Sequence, residues 1–215
     1  MNRNKHILII GSILVAFTLF VIFVYLPYAD KQNQTTKMAD SLWPSENLKQ
    51  PVRAIPAFAF TNQEGKTITL DDVKGKVYVA DFFFTSCEAS CPMMSTELTK
   101  VQKAFQESDD VRILSFALDP ADSIPVLRSF ANQYGADADM WYFLTGDVKK
   151  IYTLGEEGFM QIVKDSSNSF TGHSQKFTLV DGNNMIRGFY KGTDSAEVAN
   201  LMNDINFLLN KEGHD

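Results

Sequence analysis

Hydrophobic and polar positions divide the 215-residue chain into three stretches of different character. From Ile7 to Leu26 the run "ILIIGSILVAFTLFVIFVYL" carries no charge over twenty residues. At about 1.5 Å per helical residue such a run spans roughly 30 Å, the thickness of a bilayer's hydrocarbon core. A cleaved signal peptide would have a shorter apolar core followed by a small-x-small site. "YLPYAD" offers no such site, and no lipobox cysteine is present. The pattern therefore predicts a cytoplasmic tail over 1–6 and a single transmembrane anchor over 7–28. Arg3 and Lys5 precede the span while Lys31 and Lys37 follow it, a modest positive-inside bias. A short tail inside and a large domain outside is the usual outcome. The expected location is the cytoplasmic membrane, single-pass, with the globular part on the extracytoplasmic (periplasmic) side. Residues 29–55 are polar, carry two prolines and read as a tether with a short helical piece near Trp43.

From 56 to 211 the pattern is that of one α/β domain. "FAFTNQEGKTITL" (58–70) has two short strand-like runs around a Gly-containing turn, a hairpin. "KVYVADFFF" (76–84) is continuous, β-branched and aromatic, as in a strand buried on both faces. Leu98, Val101 and Phe105 then recur at helical spacing, and "VRILSFAL" (111–118) is a second buried strand. Strand, helix, strand implies a parallel pair with a right-handed crossover. "SIPVLRSFANQYG" (123–135) is a helix stopped at Gly135, "WYFL" (141–144) is a strand, and Asp147 caps the helix "VKKIYTL". "QKFTLVDGNNMIRGFY" (175–190) is a second hairpin around an Asp-Gly-Asn-Asn turn. Asp194 and Glu197 stand in capping-box spacing before the last helix, "SAEVANLMNDINFLL". The sum is a three-layer α/β domain in thioredoxin-like order, with an extra N-terminal β-hairpin and a preceding transmembrane helix.

Composition changes this picture in two places. The 17 Phe point to a core packed with aromatic rings. The net charge of −6, less the two positive charges of Arg3 and Lys5, leaves −8 on residues 7–215. An acidic ectodomain excludes nucleic acid and anionic lipid surfaces as partners, since both need a basic footprint.

The candidate chemistry sits in "FFFTSCEASCPMM" (82–94), which holds both cysteines of the chain. Cys87 and Cys91 follow a parallel strand at its carboxyl end, where open α/β sheets place ligands. A helix N-terminus there favours thiolates. At i and i+4 the two sulfurs would share one helical face, close enough to form a Cys87–Cys91 disulfide when oxidised. As a structural crosslink this pair is weak, because so small a loop removes little entropy from the unfolded chain. As a redox enzyme it departs from C-x-x-C, and no proline precedes the later hairpin, the last one being Pro125. A peroxiredoxin would have Thr or Ser where Phe84 stands. Of the three histidines, His6 precedes the span and His214 is in the terminal tail, whereas His173 in "FTGHSQKF" stands before the second hairpin. In this fold that point lies against the turn bearing the cysteines. Two thiolates and an imidazole suit copper, and Cu(I) above Cu(II); zinc would want a fourth protein ligand or an open catalytic water. Met93 and Met94, entering the helix, read as core packing rather than soft ligands.

Over roughly Ile55 to Leu209 the chain resembles the Sco/SenC family, membrane-tethered copper proteins of thioredoxin fold. The resemblance rests on "KVYVADFFFTSCEASCPMM", "SFALDPADSIPVLRSFANQYGAD", "WYFLTG" and "GHSQKFTLVDGNNMIRGFYKGTD". It implies copper ligands at Cys87, Cys91 and His173, with the family's acidic position falling on Asp119, whose alternative reading is a loop or helix-capping aspartate. It also implies a metallochaperone that serves the dinuclear copper centre of a respiratory cytochrome c oxidase. Its partners would be the copper-bearing subunit, other copper chaperones or a thiol reductant, and the membrane through the N-terminal helix. The same residues also suit a thiol-disulfide reductase of the client's copper site, or a copper or redox sensor.

Overall fold

The computed structural model describes residues 17–18, 20–25, 44–164 and 170–212. Two compact units are formed, Met1–Trp43 and Pro44–Asp215. In the first, a π-helical turn covers Val21–Tyr25. Most of the span predicted for 7–28 lies outside the described residues, and among those described no helix is long and apolar enough to cross a membrane.

The second unit is built on a five-stranded sheet. Strand β3 (Val77–Phe83), apolar at every position but Asp81, is buried throughout. It pairs in parallel with β4 (Val111–Ala117), which pairs in parallel with β5 (Trp141–Leu144). On its other side β3 meets β8 (Lys176–Val180) antiparallel, and β8 turns back into β9 (Ile186–Lys191). The order is β5-β4-β3-β8-β9. The expected N-terminal hairpin is formed by β1 (Ala59–Thr61) and β2 (Thr67–Thr69).

One sheet face is covered by α1 (Ser90–Phe105), α2 (Ile124–Gln133) and α4 (Ser195–Glu212), through Leu98, Val101, Leu127, Leu201 and Ile205 among others. The opposite face is covered by the hairpin, by α3 (Val148–Thr153) and by the π-helical turn Leu154–Gly158 that continues it. Phe82 and Phe116 stack there with centroids 5.1 Å apart, and Phe159 meets Phe82 edge-on at 5.6 Å. Burying each such side chain contributes about 1.5–3 kcal/mol. Asp147 caps α3 as its position predicts, accepting from the Lys149 and Lys150 N–H groups.

Three features differ from expectation. Residues 44–55, read as tether, belong to the compact unit and strap along β9, with Val52 N–H donating to Ile186 O and Ile186 N–H to Arg53 O. The buried Asp204 carboxylate holds this strap, accepting from Ser45 N–H at 2.6 Å and from the Tyr190 hydroxyl at 2.5 Å. Asp194 accepts from the Ala196 N–H at the start of α4, whereas Glu197 accepts from Asn47 Nδ2, again on the strap. An unpredicted antiparallel ribbon, β6 (Ile162–Lys164) and β7 (Phe170–His173), stands between α3 and β8.

Candidate metal centre

The site is built where β3 ends. After Phe83 the chain turns sharply, the Cys87 N–H donating to Phe84 O at 3.2 Å, and α1 begins only at Ser90. Ala89, at φ −109 and ψ −90, is the bend that starts it. The two sulfurs therefore do not share a helical face: Cys87 lies in the turn and Cys91 in the helix's first turn. They still meet, because the bend folds the turn back over the helix N-terminus and the two thiols hydrogen-bond.

That geometry drives the two thiols apart in character. Partial burial raises the Cys87 thiol, but this is outweighed by hydrogen bonds from the Cys91 thiol and from the N–H groups of Cys91, Ala89 and Ser90, so it ends below the ordinary thiol value. These are N–H groups a helix start leaves without internal partners. Cys91 is 1% exposed, and its burial pushes it up to about 12. The Phe84 N–H opposes that rise, while the charges of Cys87 and Asp81 add to it. A helix N-terminus was expected to favour both thiolates; it serves Cys87 alone.

Asp81 is a buried carboxylate within β3, and burial raises it to about 7. It accepts from the hydroxyl of its cross-strand neighbour Ser115, which in turn accepts from Trp141 Nε1 at 2.9 Å. An Asp inside an otherwise apolar run is the signal in the sequence that marks it.

Asp119 accepts from the Ala121 N–H at 2.8 Å, capping its own loop. The residue that grips the cysteine turn is Asp122, buried, which accepts from Thr85 N–H at 3.1 Å and from Thr85 Oγ1 at 2.5 Å. Burial raises Asp122, and the two Thr85 bonds oppose the rise. Nothing in its sequence context marks it. Met94 is buried in the core as predicted, but Met93 is 54% exposed, because its place on α1 faces away from the sheet.

His173 ends β7, its backbone paired with Ile162, and its side chain lies outside the described residues. The pairing of Ala80 with Thr178 fixes the direction of approach. Running forward from Ala80 leads to Cys87, and running backward from Thr178 leads to His173, so both emerge at the same end of the sheet. Among the described residues no three His, Cys, Asp or Glu side chains cluster to hold a metal ion.

A thioredoxin-like α/β domain that presents a polarised dithiol at the carboxyl end of its central parallel strand is a thiol-based redox or metal-handling protein. The SCO1/SenC family model matches residues 46–209, and the chain belongs to that family. The SCO1 protein homolog of Bacillus subtilis is 34% identical over 165 residues, 74% of this chain and 86% of that protein. The crystal structure of a SCO1/SenC family lipoprotein from Bacillus anthracis superposes with a TM-score of 0.66 at 32% identity, covering 75% of this chain and 99% of that one. BsSco, described as having a disulfide switch and as a member of the Sco family of cytochrome c oxidase assembly proteins, gives 0.62 at 34%, covering 75% and 98%. ScoI of Bradyrhizobium japonicum, solved with copper bound, shares the fold at a TM-score of 0.57 and 22% identity, covering 73% and 99%.

Proposed function

We propose that this protein is a membrane-anchored copper carrier that delivers copper to the dinuclear site of a respiratory cytochrome c oxidase, with Cys87, Cys91 and His173 as ligands. The observation that carries the reading is the polarised thiol pair at the sheet end toward which His173 also runs. Two sulfurs and one imidazole form a soft, low-coordinate donor set suited to Cu(I). Cys87 is the accessible first donor. Cys91 must release its proton when metal enters, so loading liberates protons and binding weakens as pH falls. An anchor over 7–28 would hold the domain on the extracytoplasmic side beside a membrane-bound client, raising its effective concentration without a tight interface. Family membership and the naming of BsSco as an oxidase assembly protein support the client assignment.

A second reading is supported by the same asymmetry. A low Cys87 and a high Cys91 are also the attacking and resolving thiols of a reductase. In that reading the Cys87 thiolate attacks the client's disulfide and Cys91 resolves the mixed disulfide. The client gains two thiols and this chain becomes the Cys87–Cys91 disulfide.

His173→Ala separates the two, because disulfide exchange needs no imidazole. The variant is expected to weaken copper binding, keep a titratable dithiol, and lose oxidase activity in cells as severely as Cys87→Ala does. Normal oxidase assembly in His173→Ala under copper limitation, with Cys87→Ala defective, would replace delivery with reduction.

A further inference from the structure

The ribbon carrying His173 raises a mechanical problem. Among the described residues β6 and β7 pair with each other and with no other strand. Such a ribbon has no sheet to orient it, yet a metal ligand must be held to within a fraction of an ångström. What fixes its base is Gln161, the residue before β6, which is 2% exposed. Glutamine is seldom so deeply buried, and a buried amide is stable only when its polar groups find partners.

All four polar groups of Gln161 are engaged. Its N–H donates to Gly155 O at 2.8 Å, tying it to the π-helical turn. Its carbonyl accepts from Ser174 N–H at 2.9 Å, directly after His173. Its Oε1 accepts from the Ser174 hydroxyl, and its Nε2 donates to Thr178 Oγ1 at 2.7 Å. Thr178 is fully buried in β8 and paired with Ala80 of β3, the strand that leads to the cysteines. A continuous path thus runs from His173 through Ser174, Gln161 and Thr178 to β3.

The approach to Gln161 is equally constrained. Met160, 49% exposed, sits at φ 58, a left-handed conformation uncommon for a side chain of its size. A Cβ at Gly155 would stand 2.4 Å from Ile162 Cδ1 and 3.0 Å from Phe82 Cε1, so a side chain there would have to displace the start of the ribbon's packing.

We infer that Gln161 is a positioning residue for copper: it holds His173 at the height of the two thiols through its hydrogen bonds to Ser174 and Thr178. The inference rests on His173 being a ligand. Removing the outer partners of a metal ligand typically lowers affinity about 10–100-fold.

The test compares Gln161→Leu, Ser174→Ala, Ser174→Thr and His173→Ala in the full chain. Readouts are Cu(I) competition, the imidazole-nitrogen signal of the Cu(II) form in pulsed electron paramagnetic resonance, and the reduction potential of the Cys87–Cys91 couple. Gln161→Leu and Ser174→Ala are expected to weaken copper binding about tenfold or more and to diminish the imidazole signal, with the dithiol potential unchanged. Ser174→Thr, which keeps the hydroxyl, should restore both. Should Gln161→Leu not fold, Ser174→Ala decides alone. Wild-type copper affinity in a folded Gln161→Leu or in Ser174→Ala, beside a weakened His173→Ala, overturns the clamp and leaves the ligand assignment standing. Unchanged affinity in His173→Ala overturns the ligand assignment and the clamp together.

Discussion

Replacing Asp81 by Asn should make the protein more stable at neutral pH and remove a pH dependence that the wild type carries. Asp81 is 2% exposed and receives a hydrogen bond from the Ser115 hydroxyl. Burial raises it from an ordinary 3.8 to about 7 in the folded protein. Between those values the folded chain holds a proton that the unfolded chain has released. Stability therefore falls as pH rises from about 4 to about 7, then levels. A shift of about 3 units at 1.36 kcal/mol per unit sets the loss at about 4 kcal/mol. Asn has nearly the same shape, keeps an oxygen for the Ser115 hydroxyl and does not titrate. The two proteins should be about equally stable near pH 4, and the variant should lead by up to about 4 kcal/mol at pH 8.

Equilibrium urea unfolding followed by fluorescence of the buried Trp141 measures this directly. The difference between variant and wild type is the quantity to plot. Asp72 and Glu97 sit below their ordinary values and give the opposite slope, but they are common to both proteins and cancel. A difference that stays flat from pH 4 to 8 would refute the reasoning, since Asp81 would then be charged at little penalty.

Two further outcomes test the cysteine turn. Iodoacetamide applied to the reduced native protein should label Cys87 first, at a rate that half-saturates below the ordinary thiol pKa, while the buried Cys91 stays protected; equal labelling in peptide maps would contradict the polarity assigned to the pair. Asp122→Ala removes both bonds to Thr85 and should cost about 1–3 kcal/mol, with faster hydrogen exchange over Thr85–Glu88; unchanged exchange there would show that the turn holds itself.

The parts of this fold that were legible in the sequence are those where one physical rule acts alone. A run of seven residues that is apolar but for Asp81, rich in β-branched and aromatic side chains, fits a doubly covered strand, and β3 is one. Asp147 before an amphipathic run can only cap it, and it does. The ribbon β6–β7 was not legible because its strands are short, its pairing shifts register between Ile162 and Lys164, and period-2 alternation has no length in which to appear. The strap over 44–55 was hidden for another reason. Its polar residues match a tether's composition, and their partners, among them Asp204, Glu197 and the edge of β9, lie far along the chain.

The site shows the same division more sharply. Cys87, Cys91 and His173 could be singled out because each is a rare donor at a position the fold makes special. What sets their behaviour is carried by commoner residues. Spacing of i and i+4 implied equivalent thiols on one helical face, but the bend at Ala89 is a backbone event that no side chain announces. It places one sulfur over the N–H groups of the helix start and the other in the core, and a symmetric pair becomes a polarised one. Asp122 and Gln161 follow the same logic: each is a polar residue with nothing in the sequence to mark it, and each is buried because its side chain ties one element to another. Asp81 is the instructive exception. A charge in the middle of an apolar strand has no solvent to face, so it must be either neutral, partnered or in use, and the sequence alone poses that question.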